Sequence, residues 1–408
     1  MDAQPSPRQA SESIQAESPA VAILTGGGDR PYALGLAGSL IGEGLHFDFI
    51  GSDFLESEEL IESPNVEFRN LRGDMRPDVS ALRKVARIAR YYVKLIVYAA
   101  RARPRVFHVL WNNKFEYLDR TLIMLYYRLL GKRVALTVHN VNARRRDGSD
   151  SWLNRLTLRC QYRFASHLFV HTEKMKGELL SEFGVAEDRI SVIPFGINDT
   201  VPRTSLTRAE ARRRSGLLES ERVLLFFGNI APYKGLEYLV EALALVRQAY
   251  TDSILVIAGR PKGSENYWAT IESRLQELEL ADFVKQRIEY VPDADTEIYF
   301  KAADVLVLPY TFVFQSGVLF LSYSFGLPVI ASDVGSLSDD VVEGRTGFIC
   351  PPTDVPALAE TIKRYFSSPL FESLAERRGE IREYARERYS WETVASVSRR
   401  VYARLNEQ

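Results

Sequence analysis

Short apolar runs alternate with longer amphipathic stretches along nearly the whole chain, and this alternation constrains the fold more than any other feature. Runs at 21–25, 47–50, 106–110, 134–138 and 168–171 carry the strand signal, with helical patterns between them. A second series opens at 223–227 and continues through 254–258, 284–288, 305–308, 329–331 and 347–350. Strands that read as unbroken Val, Ile and Leu are covered on both faces, and intervening helices supply the crossovers that parallel pairing needs. The expectation is an α/β protein with two parallel sheets in tandem, each covered by helices. A chain of 408 residues also exceeds what one hydrophobic core usually holds.

Residues 1–18, rich in Ser, Gln, Glu, Ala and Pro without an apolar core, read as a disordered tail. An N-terminal domain is expected over 19–198, closing near Pro194 and Gly196, and a second over 199–385. The final segment, 386–408, is a helix with no strand after it, expected to cross back to the first domain. The longest apolar runs, such as 95–100 and 223–227, fall far short of the roughly 20 residues a membrane-spanning helix needs. Cys160 and Cys350 stand far apart with no CxxC pair, which points to reduced thiols and a cytoplasmic location. No His/Cys/carboxylate spacing suggests a metal, and none is expected as cofactor.

Two segments read as a cradle for a diphosphate. Phe226-Phe227-Gly228-Asn229-Ile230-Ala231-Pro232-Tyr233-Lys234-Gly235 is a strand running into a loop with a cation. Val305 to Leu308, Pro309-Tyr310 and then Ser316-Gly317-Val318 form a strand, a loop and a helix start. Loop amides, a helix N-terminus and one ammonium are what phosphate oxygens require. Gly26-Gly27-Gly28 follows the first strand, but Pro31 stands where a dinucleotide fingerprint would have its third glycine. Asp304 sits in a buried Ala-Asp segment and reads as structural.

In order and spacing, the Lys234 turn, Ala258-Gly259-Arg260, Ala302-Ala303-Asp304, and Gly326-Leu327-Pro328-Val329-Ile330-Ala331-Ser332 with Gly335 and Thr346-Gly347-Phe348 resemble retaining glycosyltransferases of family 4. Thr137-Val138-His139-Asn140 and 189–196 extend the resemblance into the first domain. It implies a GT-B fold, two Rossmann-like domains facing a cleft. It also implies transfer of a hexose from a nucleotide diphosphate sugar to a glycan or lipid-linked acceptor, as in surface polysaccharide synthesis. Donor contacts would come from Gly27, Gly28, Gly228, Asn229, Lys234, Ser316, Gly317 and Val318; His139 and Lys234 would be catalytic, with Arg144 and Arg145 as candidates for acceptor or phosphate. The sequence departs from the family twice. Asn229 replaces an arginine, so an amide that donates without neutralising charge stands in for a cation. Val313 and Leu321 occupy the positions of two glutamates eight residues apart, the later of which holds the ribose; Gln315 and Tyr323 share that spacing in another register. A non-catalytic nucleotide-sugar-binding protein and a GT-B phosphorylase stay open as alternatives.

Charge is unevenly spread. Residues 81–177 hold 21 Lys and Arg against 5 Asp and Glu, a net of +16, which leaves −17 for the remainder. The helix over 79–101 places Leu82, Val85, Ala86, Ala89, Val93, Ile96, Val97 and Ala100 on a face expected to meet the sheet. Arg83, Arg87, Arg90, Lys94 and Arg101 form a second stripe, suited to an anionic membrane surface. No nucleic-acid motif accompanies this charge, and no nucleic-acid partner is expected.

Overall fold

The computed structural model describes residues 20–74, 80–146, 148–198 and 201–408, so the expected tail, 1–18, lies outside the described residues. Two parallel sheets are present. The first comprises β1 (Val21–Leu24), β2 (Phe47–Gly51), β3 (Val66–Asn70), β4 (Val106–Val109), β5 (Arg133–Thr137), β6 (His167–Val170) and β7 (Ile190–Val192), in the order β3-β2-β1-β4-β5-β6-β7. The second comprises β8 (Arg222–Phe227), β9 (Ser253–Ala258), β10 (Val284–Arg287), β11 (Val305–Leu308), β12 (Val329–Ser332) and β13 (Gly347–Cys350), in the order β10-β9-β8-β11-β12-β13. In each, the chain builds outward from its first strand, returns, and continues on the other side. The loops leaving β1 and β4, and those leaving β8 and β11, therefore part in opposite directions and open a crevice beyond the strand ends.

Two strands, β3 and β7, were not expected from the sequence. Both are edge strands, partly exposed to water. β3 reads Val-Glu-Phe-Arg-Asn, an alternation an edge tolerates, and β7 is three residues long, so neither shows the apolar run of a central strand.

The helices that matter below are α1 (Arg30–Gly42), α2 (Ala81–Arg101), α3 (Met124–Leu129), α4 (Trp152–Phe164), α5 (Leu236–Arg247), α6 (Gly317–Ser324) and α7 (Trp391–Glu407). α3 continues directly from a π-turn, Asp119–Ile123. α2, α3 and α4 cover one face of the first sheet, α1 and α7 the other. α7 is fastened there by polar contacts: the Tyr402 hydroxyl lies 2.6 Å from His108 Nδ1, and the Asn406 amide donates to Ala20 O at 3.0 Å. In the second domain Asp304 is buried and structural, accepting from Arg208 at 2.8 Å, Arg212 at 2.9 Å and the Val223 N–H at 2.8 Å.

α2 is rotated from the expected orientation. Tyr91, Tyr92, Leu95, Tyr98 and Ala99 are buried against the sheet, while Leu82, Val85, Ala86, Ala89, Val93, Ile96, Val97 and Ala100 face outward. The tyrosines win because each buries a large ring and still finds an acceptor for its hydroxyl. Tyr91 donates to Asn113 at 2.6 Å, Tyr92 to Asp119 at 3.0 Å and Tyr98 to Asp48 at 2.6 Å. The expected start of this helix at Val79 lies outside the described residues.

Candidate functional site

A cleft of about 380 Å³ lies between the domains, walled by Asp29, Tyr32, Asn140 and Phe195 from the first and by Asn229, Lys234, Tyr310, Gln315 and Ser316 to Val318 from the second. The second-domain wall is the pair of loops that leave β8 and β11, so the cleft occupies the crevice that the strand order creates.

Those two loops are clamped together. Pro232–Lys234 is one 3-10 turn, and Gly235 ends it at φ +64°, where a Cβ would stand 2.1 Å from Pro309 O. Only glycine permits both that dihedral and that approach. The Thr311 N–H donates to Tyr233 O at 2.9 Å, closing the clamp from the other side. Lys234 is thereby held 6% exposed, with its ammonium 5.3 Å from the Tyr310 ring centroid. A Cβ on Gly228 would lie 3.2 Å from Lys234 Nζ and 3.5 Å from Val318 Cγ2, so the bare glycine keeps open the space where the ammonium and the first turn of α6 converge. Ser316 is the N-cap residue of α6, yet its side chain does not cap the helix and lies 3.5 Å from the Tyr310 hydroxyl. The positive end of a helix, a partly dehydrated ammonium and a backbone with no side chain in the way are the elements an anion site requires.

Val313 and Leu321 are buried in the same wall, so where the family carries two carboxylates this cleft is apolar. Tyr323 is no substitute: its hydroxyl is spent on Asp340 O and Thr346 Oγ1, both at 2.9 Å. Gln315 does line the cleft, and its buried Oε1 has no hydrogen-bond partner among the described residues. The sequence had offered Gln315 only as a spacing match. Tyr233, Tyr310 and Trp391 also line the cleft; all lie in segments legible in the sequence, but nothing in their pattern singled them out.

Several first-domain expectations need correction. A Cβ on Gly28 would stand 1.8 Å from the Trp111 indole, so this glycine makes room for Trp111. Gly27 faces the Arg72 guanidinium, 3.0 Å from where its Cβ would be. Neither lines the cleft. His139 is stacked on Trp111 at 4.2 Å with 5° between the planes, packs edge-on to Tyr32 at 4.7 Å, and has His171 Nε2 3.1 Å from its Nδ1. It stands behind the wall, while Asn140 and Tyr32 reach the cleft. Burial first, and His171 second, hold His139 well below the usual histidine range, so the ring is neutral. Arg144 and Arg145 turn to carboxylates instead of the cleft: Arg144 lies 3.8 Å from Glu116, and Arg145 forms a two-pronged pair with Glu182. Among the described residues no group of His, Cys, Asp and Glu gathers in a metal-holding cluster, and no helix is long and apolar enough to cross a membrane.

Sequence profiles of two glycosyltransferase families tile the chain. "Glycosyltransferase Family 4" matches residues 26–201 and "Glycosyl transferases group 1" matches residues 207–388. A D-inositol 3-phosphate glycosyltransferase of Pseudarthrobacter chlorophenolicus is 32% identical over 208 residues, 50% of this chain and 48% of the relative. The chain thus spans about half the length of the curated relatives it matches. Sucrose-phosphate synthase from Thermosynechococcus elongatus superposes with a TM-score of 0.74 at 21% identity, over 95% of this chain and 99% of that one. HepE from Anabaena, solved in complex with UDP-glucose, gives 0.69 at 15% identity over 93% and 98%. With one family profile on each domain and the two-sheet architecture shared over nearly its whole length, the chain belongs to the GT-B glycosyltransferases of family 4.

Proposed function

We propose that this chain moves a hexose from a nucleotide diphosphate sugar to a hydroxyl of a glycan or lipid-linked acceptor, with retention at the anomeric carbon, in surface polysaccharide synthesis. The observation that carries the reading is the convergence of Lys234 and the first turn of α6 on the space kept open by Gly228. A diphosphate in that space meets one ammonium and helix amides inside a narrow cleft, where charge interactions exceed those in water. As the glycosidic bond breaks, negative charge grows on the leaving diphosphate, so the same contacts strengthen along the reaction. Asn229 donates to a phosphate oxygen without adding charge. A nucleotide-sugar donor also agrees with the UDP-glucose held by the Anabaena fold relative.

The lining of the cleft agrees with retention. Asp29 is the one carboxylate among the described residues lining it; its Oδ1 accepts the Tyr32 N–H at 3.2 Å to cap α1, and burial raises its pKa. No carboxylate pair stands ready for a double displacement. In this reading the leaving diphosphate takes the acceptor proton on the face it departs from. Gln315 Oε1 accepts a donor hydroxyl in place of the absent glutamates. The enzyme works on the cytoplasmic side, peripheral to an anionic membrane surface that attracts its basic half.

Incubation with UDP, GDP, ADP and dTDP hexoses, followed by NMR of the product anomer, tests the reading. Transfer with retained configuration is expected. Binding without turnover for any donor and acceptor would identify a non-catalytic nucleotide-sugar-binding protein, and phosphate-dependent cleavage of a disaccharide would identify a phosphorylase.

A further inference from the structure

The rotation of α2 leaves a surface that folding does not use. Leu82 is 84% exposed and Val93 61%, with Val85, Ile96 and Val97 on the same side. The surface continues onto neighbouring elements. α3 packs beside α2, with the Tyr126 hydroxyl donating to Ile96 O at 3.1 Å, and exposes Leu125 and Leu129, the latter by 77%. α4 adjoins the π-turn ahead of α3, where Arg120 donates to Asn154 at 2.8 Å, and exposes Trp152 by 75% along with Leu153 and Leu156. All three helices cover the same face of the first sheet, so their outer sides form one contiguous surface. Isolated exposed apolar residues are ordinary, but a run of this kind over three adjacent helices marks an interaction site.

Its charge selects the partner. Residues 81–101, 119–129 and 152–164 hold eleven Lys and Arg and a single acid, Asp119, which is buried and hydrogen-bonded to Tyr92 and Asn113. Arg83, Arg90, Lys94 and Arg101 flank the apolar stripe of α2 and are exposed. A second copy pressed against this surface would set like charge against like charge. A nucleic acid would take the cations and leave the leucines, valines and Trp152 unburied. A leaflet with anionic headgroups satisfies both, with apolar side chains in the headgroup–acyl boundary, the tryptophan at interfacial depth and cations on phosphates.

We propose that the outer faces of α2, α3 and α4 form one membrane-docking surface that inserts apolar side chains into an anionic leaflet. This deepens the membrane-side reading above: it names the surface and requires insertion as well as charge attraction. Insertion leaves a residue of binding that salt does not remove, whereas pure charge attraction vanishes within a short Debye length.

The full chain is sedimented with phosphatidylcholine vesicles containing or lacking phosphatidylglycerol, at low and high salt, and compared with Leu82→Glu/Val93→Glu and Arg90→Glu/Lys94→Glu. All four positions are exposed, so both variants should fold, which UDP binding verifies independently. Expected are sedimentation with the anionic vesicles, a blue shift of Trp152 emission absent in Trp152→Phe, and loss of vesicle binding by at least about tenfold in each variant. Vesicle binding by Leu82→Glu/Val93→Glu equal to that of the unaltered chain overturns the proposal, as does absence of vesicle binding altogether. So does a concentration-dependent dimer abolished by Leu82→Glu/Val93→Glu without vesicle binding, which would make a second copy the occupant. Because UDP binding and transfer to a soluble acceptor are read separately, failure here leaves the glycosyltransferase reading standing, and the reverse holds too.

Discussion

The two domains share one wiring and use it in opposite ways. In each, the strand order reverses between the first and fourth strands and opens a crevice beyond their ends. In the second domain the crevice stays open, bordered by Asn229, Lys234 and the start of α6, with Gly228 directly behind the Lys234 ammonium. In the first it is filled by a side chain: Trp111, leaving β4, lies over Gly26 and Gly28 after β1 and stacks on His139 after β5. Topology supplies two equivalent crevices with an aromatic residue two positions after each fourth strand, Trp111 in one and Tyr310 in the other; Trp111 packs over the Gly28 loop, whereas Tyr310 lies beside the Lys234 ammonium and lines the cleft. The filled crevice serves the open one by stiffening the opposite wall, since Tyr32 packs on Trp111 and His139 and also faces the cleft.

Removing the one ammonium from the open crevice is the strongest way to break this contrast. Lys234→Ala should lower kcat/KM by about a thousandfold, ~4 kcal/mol, while leaving the fold intact. Steady-state kinetics with calorimetric titration of UDP checks it; unchanged donor affinity would show that the second crevice is not the phosphate site.

Crowding the filled crevice should cost stability instead of donor affinity. Gly28→Ala places a methyl in the Trp111 ring and should destabilise the chain by about 3 kcal/mol. If the clash with Trp111 is the cause, Gly28→Ala added to Trp111→Ala should cost little beyond Trp111→Ala alone, a coupling of about 2 kcal/mol in a double-mutant cycle of denaturant midpoints. Additive losses would mean that the glycine serves something other than the indole.

The buried histidines of the first domain and Asp340 of the second should respond to acid with opposite signs. All five histidines lie between His46 and His171. Burial holds His108 down to about 3 and His167 and His171 to about 4. Their folded pKa values lie below the ordinary 6.5, so the unfolded chain binds more protons in that window. Their contribution is complete above pH 6.5 and is lost as pH falls toward 4. In the second domain, burial lifts Asp340 to about 6 from 3.8, against hydrogen bonds from Tyr389 and Ser336 that lower it. That contribution is complete below 3.8 and is lost as pH rises through 6. Going from pH 7 to pH 5, hydrogen exchange corrected for intrinsic rate should quicken around His108, His167 and His171 and slow around Asp340. A common change in both would contradict the assignment.

How much of this could be read from residues alone depended on whether the signal was local. The central strands announced themselves as apolar runs, and the Gly228–Gly235 loop as a strand, a turn and a cation in sequence. β3 and β7 did not: β3 alternates charged and apolar residues, and β7 is only three residues long, too short for a local signal. The orientation of α2 was misread because apolar periodicity favoured the stripe from Leu82 to Ala100, while the decision rested on acceptors far along the chain, Asp48, Asn113 and Asp119, that only folding brings to the tyrosines. The packing of His139 and Gly28 was illegible for the same reason: their partner, Trp111, carries no motif and comes from another loop.

The smallest expected effect separates recognition from charge within the open crevice. Gln315 contributes a neutral acceptor beside an apolar patch of Val313 and Leu321, and its Oε1 is buried with no hydrogen-bond partner among the described residues. A buried acceptor without a partner is costly, and a ligand hydroxyl that reaches it recovers that cost on binding. Because the donor's hydroxyls carry no developing charge in the transition state, the contact should act alike in the ground and transition states. Gln315→Ala should therefore raise KM for the donor sugar about tenfold, ~1.4 kcal/mol, with kcat within about threefold, whereas Lys234→Ala lowers kcat as well as donor affinity. Inorganic diphosphate, which has no hydroxyl to offer, should bind Gln315→Ala as it binds the unaltered chain. A parallel loss of diphosphate affinity would place Gln315 in the phosphate cradle and remove the distinction between the two halves of the crevice.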